Sequence, residues 1–145
     1  MTLFKSAALA LAVSLTGVVT AAPVIAETAV AASTAQTLPS GTFVKKKKKL
    51  KGSWEVVQRG DKTFIVFGDD FRAAGGPDLK VFLSPTSLSD VNGRTAVNGS
   101  INIGELKSTR GGQEYEVPAG VDLSDFSSVL VHCEAYAVLW GGSAL

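Results

Sequence analysis

Two adjacent residues carry most of the chemistry open to this chain: His132 is its only histidine and Cys133 its only cysteine. Both lie in the apolar closing run VLVHCEAYAVLWGGSAL, residues 129 to 145. A lone thiol cannot close an internal disulfide, so it is enclosed and inert, joined to another molecule, or used in redox or ligand chemistry. An extended strand here sets Val129, Val131 and Cys133 on one side and Leu130, His132 and Glu134 on the other. That alternation keeps imidazole and thiol from meeting at one iron or zinc unless a bulge intervenes. The pattern by itself favours an exposed or hydrogen-bonded histidine. It also sets the cysteine in line with core valines, where a free thiol behaves as a small hydrophobe. There is no Cys-x-x-Cys-His for covalent haem, and no Gly-x-Ser-x-Gly elbow points to a hydrolase.

A second cluster is cationic. Lys45, Lys46, Lys47, Lys48, Lys49 and Lys51 fall within seven residues. Read as part of a strand from Phe43 to Leu50, the lysines leave neither face cleanly apolar, which places the segment at a sheet edge or in an exposed hairpin. Such a run either discourages edge-to-edge aggregation or docks an anionic partner or anionic lipid headgroups. Asp69, Asp70 and Asp78 flank a Gly-rich turn without the spacing of a calcium loop, so no metal site is assigned. Trp54 and Trp140 read as core or rim aromatics.

The elements that must position these groups follow a leader. Lys5 and the apolar stretch Ala7 to Val19, ending in the small-residue pattern Val24-Ile25-Ala26, read as a cleaved signal peptide over 1–26. The stretch is too short for a transmembrane span, and the product is expected in a bacterial periplasm or outside the cell. Residues 27–39 are small, polar and aperiodic, the composition of a disordered linker. The full chain holds 14 Lys plus Arg against 13 Asp plus Glu; loss of Lys5 with the leader leaves 13 against 13. That neutrality argues against nucleic-acid binding, which needs a basic surplus.

Residues 40–145 suit one domain. Short apolar runs separated by Gly, Asn, Asp and Pro predict strands over 43–50, 53–58, 62–67, 79–84, 100–106, 113–117, 128–134 and 136–140. One helical turn is expected near Ser124 to Phe126. Gly75-Gly76-Pro77-Asp78 is read as a turn whose glycines permit positive φ, and Asn92-Gly93 as another. The fold class is therefore all-β, a single small antiparallel sandwich or barrel-like domain.

Several pieces occur in one order: a Gly-Thr-Phe opening, Asp70-Phe71, GGPDLKVFLS at 75–84, Ile103-Gly104-Glu105-Leu106, GQEYEVP at 112–118 and the closing run with its cysteine. Together they resemble the DM-thirteen family, small domains that also accompany DOMON modules, and the resemblance covers Ser40 to Leu145. It implies electron transfer, with Cys133 as a bare thiol or as ligand to a prosthetic group such as haem. Only Cys133 carries over as a site position. Where the family commonly has an aromatic residue before its cysteine, this chain has His132. The expected function is an exported accessory redox module that works with a redox partner protein rather than a self-sufficient enzyme. The alternative is a thiol-inert envelope binding module docking an anionic partner through its lysines.

Overall fold

The computed structural model describes residues 37–145. The expected signal peptide and residues 27–36 of the expected linker lie outside the described residues. Among the described residues the secondary structure is all-β apart from one short 3-10 turn, Leu123–Asp125. Eleven strands form: β1 (Ser40–Thr42), β2 (Val44–Lys45), β3 (Leu50–Lys51), β4 (Ser53–Arg59), β5 (Lys62–Phe67) and β6 (Arg72–Ala73), then β7 (Leu79–Ser84), β8 (Ile101–Glu105), β9 (Gln113–Glu116), β10 (Ser128–Cys133) and β11 (Val138–Ala144).

One antiparallel sheet has the order β1-β4-β5-β9, another β2-β11-β10-β7-β8, and β3 with β6 makes a small third ladder. The first two sheets face each other across one apolar cluster. Trp54, Val56, Ile65, Phe67 and Tyr115 enter it from the first; Leu79, Val81, Leu83, Val129, Val131, Cys133 and Trp140 enter from the second. Each set occupies alternate positions, as a pleated strand with one face on the core requires. Phe67 packs against Phe43, Phe71 and Tyr115 with ring centroids 4.7, 4.8 and 5.1 Å apart. This is a sandwich, and the sheets do not close into a barrel.

The five-stranded sheet is covered on its outer side as well. Residues 85–100, which form no strand, fold over it so that Leu88, Val91 and Ala96 pack on Phe82, Leu130 and Leu139. The segment holds its shape by local bonds: the Asn92 side-chain oxygen accepts from the amides of Arg94 and Thr95, and the Ser100 hydroxyl donates to the Ala96 carbonyl.

Three expected elements differ. The strand from Phe43 to Leu50 is broken into β2 and β3, which belong to different sheets, with a bend at 46–48 between them. Consecutive lysines offer no apolar alternation to pack on one face, and the Phe43 amide closes the bend by donating to the Gly52 carbonyl at 2.8 Å. Gly52 has φ +123°, and a Cβ there would lie 2.5 Å from the Phe71 backbone, so glycine is required. The closing strand begins at Val138, because Glu134–Ala137 form a turn in which Ala137 takes φ 51°. Gly75 and Gly76 do not adopt positive φ; Gly76 matters for space, since a Cβ there would meet Trp140 Cζ2 at 2.8 Å.

Candidate functional site

Strand β10 is central: β11 flanks it on one side and β7 on the other, both antiparallel. All six of its residues are buried. Against β7 the register runs unbroken from Ser128 opposite Ser84 to Cys133 opposite Leu79. The one irregularity lies on the β11 side, where Val131 faces Gly141 but His132 faces Leu139, leaving Trp140 as the extra residue. The bulge therefore belongs to β11, and β10 keeps its alternation. Cys133 faces the inter-sheet core and His132 the outer cluster under residues 85–100, so the two cannot converge on one metal ion.

Cys133 is 0% exposed. Leu79 and Val138 are its register neighbours, and Trp140 lies in the same cluster. The Trp140 indole nitrogen donates to the Ala74 carbonyl at 2.8 Å, and its ring sits beneath Gly76. The chain leaves this enclosure at once: Glu134, Ala135, Tyr136 and Ala137 are all exposed.

His132 is neither exposed nor hydrogen-bonded at Nδ1, contrary to the expectation from alternation. It is 1% exposed, its ring 6.0 Å from that of Phe82, and Nδ1 has no partner. Burial pushes its pKa down, opposed by the weaker pull of the Glu134 and Asp78 charges.

A charged cluster that sequence reasoning did not single out closes the Cys133 end of the sheet. Lys80 pairs with Asp78 at 3.2 Å and with Glu134, and these two acceptors hold its pKa above the usual lysine value, Glu134 most strongly. Asp78 also anchors the β10–β11 turn, accepting from the Ala135 amide through Oδ2 and from the Glu134 amide through its carbonyl. The available signal was Lys80 between Leu79 and Val81: one charge on an otherwise apolar strand implies a partner. Asp70 is likewise structural. It accepts from the Ser53 amide and hydroxyl, and these bonds hold its carboxyl below the ordinary range.

The lysine bend lies on the edge of the same sheet. β2 pairs with Gly141 and Gly142 of β11; beyond it the Lys46 amide donates to the Trp140 carbonyl at 2.7 Å and the Lys47 amide to the Leu139 carbonyl at 3.3 Å. The Lys49 carbonyl accepts from the Ala74 amide. All six lysines are exposed, around an open hollow of about 410 Å³, and none has a carboxylate partner among the described residues.

Among the described residues no group of three or more His, Cys, Asp and Glu side chains is arranged to hold a metal ion. Haem does not fit at Cys133 in this packing. The thiol is enclosed by side chains of both sheets and lines none of five hollows among the described residues, whereas a bound prosthetic group occupies a pocket on the order of 300–1,000 Å³.

No curated protein and no solved structure matches the chain. The profile of one family does, over residues 42–145, which include every strand from β2 to β11 and the cysteine: the family is described as electron transfer DM13, and the chain belongs to it.

Proposed function

We propose that this protein is an exported electron-transfer module of the bacterial periplasm or cell exterior, acting for a redox partner protein with Cys133 as its redox atom. The observation that carries this reading is the family match over residues 42–145, including the closing segment that holds the chain's one cysteine. Enclosure favours one kind of chemistry over another. Thiol–disulfide exchange requires the sulfur to reach its target, and a sulfur with no exposed surface does not. Loss of one electron to a strongly oxidising one-electron centre of a partner protein, with the proton passing to water when the adjoining Glu134–Ala137 turn opens, converts the thiol to a neutral thiyl radical. No charge is then left in the apolar enclosure, where an unpaired charge is costly. The partner gains the electron, and reversal restores the thiol.

The 0% exposure of Cys133 supports a second reading, in which the sulfur is packing and the domain is a binding module working through its lysines. One experiment separates them: a redox titration of the purified protein beside Cys133→Ala, with an absorption spectrum of each. A one-electron signal present in the parent and missing from the folded variant supports Cys133. Identical titrations sink it.

A further inference from the structure

We propose that the bend Lys45–Lys51 is the surface on which the domain receives an acidic patch of its redox partner protein; the inference rests on the electron-transfer reading above. Six cations project from one short segment and are not neutralised by any described carboxylate, so their field is free to attract an anionic surface. The bend is held in place. Its amides are bonded to the carbonyls of Leu139 and Trp140, and the Lys49 carbonyl to Ala74, whose own carbonyl receives the Trp140 indole.

Those anchors fix the bend at the Cys133 end of the sheet. Leu139 is the cross-strand neighbour of His132, and Val138 that of Cys133. Lys47 thus lies two strands from β10, about 10 Å at ordinary strand spacing. A partner seated on the lysines is brought within that range of the thiol strand without touching it, which suits a buried redox atom. Val44, 54% exposed on β2, precedes Lys45 in the chain, and Tyr136, 69% exposed, lies in the β10–β11 turn that leads into Val138 and Leu139. Exposed apolar side chains adjoining a cationic segment fit a protein docking surface, where charge steers the encounter and apolar groups supply contact area. A lipid surface gains nothing from sitting at the thiol end of the sheet; a redox partner does.

The test has two arms on the full chain and on its Lys46→Gln, Lys47→Gln, Lys48→Gln variant. In the first, isotope-labelled protein is titrated with a glutamate decapeptide. Amide shifts are expected at Lys46, Lys47, Lys49, Tyr136 and Leu139, weakening at least tenfold between about 20 and about 200 mM salt and lost in the variant. In the second, electron exchange is timed with ferricyanide and with a cationic cobalt(III) complex. The variant is expected to slow ferricyanide about tenfold and to leave the cobalt reagent within about twofold. Peptide shifts on another face, equal shifts in the variant, or equal ferricyanide rates overturn the proposal. So does retention on phosphatidylglycerol vesicles at a salt concentration where the peptide shifts nothing, which would make the bend a lipid site. If neither reagent exchanges electrons while the peptide still maps to the lysines, the electron-transfer reading fails and acidic-protein recognition survives.

Discussion

Cys133→Ala and Cys133→Ser, taken as a pair, measure how closed the thiol is. Alanine removes one sulfur atom from a position in the inter-sheet core flanked across the strands by Leu79 and Val138. The lost transfer energy is near that of one methylene, and the small cavity adds a few tenths, giving about 1–2 kcal/mol. Serine keeps nearly the native volume but places a hydroxyl among apolar neighbours, which raises the cost to about 2–4 kcal/mol. At about 5 °C per kcal/mol for a domain of this size, alanine should lower Tm by roughly 5–10 °C and serine by roughly 10–20 °C. Urea midpoints at constant m-value check the same order.

Alkylation supplies the kinetic half. If the native thiol reacts only through global opening, its rate falls below that of the unfolded chain by a factor on the order of 10³ or more, since domains of this kind are stable by about 5–15 kcal/mol. If the Glu134–Ala137 turn opens locally, protection falls to roughly 10–100-fold and becomes independent of urea at low concentration. Serine no worse than alanine, together with a native alkylation rate equal to the unfolded one, would refute the enclosure and everything argued from it.

Three further outcomes are expected. Gly76→Val should cost about 1–3 kcal/mol, because its side chain meets Trp140, whereas Gly75→Val, with open space around its Cβ position, should leave the urea midpoint nearly unchanged. The folded-state pKa of His132 lies below the ordinary 6.5, so the unfolded chain takes the proton first; stability is fully present above about pH 6.5 and declines as pH falls toward the folded value. His132→Leu should flatten urea midpoints between about pH 7 and 5, a window clear of Asp70 and Asp122, whose depressed carboxyl values act only below about pH 4. Burial pushes Tyr115 up to about 12, its hydroxyl bonded to Gln113 Oε1 at 2.7 Å and to the Lys107 amide at 3.1 Å. Tyr115→Phe should remove that late phenolate titration and cost about 1–2 kcal/mol by thermal melting.

What the sequence disclosed about the site follows from periodicity. Strand alternation assigned Val129, Val131 and Cys133 to one face, and the structure places all three in the inter-sheet core. The lysine bend was recognisable as a segment that could not bury a face, but its break into strands of two sheets was not, because it depends on Phe43, Gly52 and Phe71 meeting in space. Residues 85–100 carry no period of two or of three to four, so their role as a cover left no mark on the local pattern.

The double burial of β10 did leave a mark, and it was outweighed by the polarity of one residue. Val129-Leu130-Val131 and Val81-Phe82-Leu83 are unbroken apolar triplets on neighbouring strands, the signature of a sheet covered on both sides rather than of one with a wet face. By that logic Leu130 needed a covering layer, and His132, two residues further along the same face, had to lie under it too. A polar residue type suggested exposure, yet a sheet face does not become wet at one position when Phe82 and Leu139 beside it are dry. The cost is the unpartnered Nδ1 and the depressed pKa. The thiol and the imidazole are thus separated by the thickness of one strand, each enclosed in a different apolar layer.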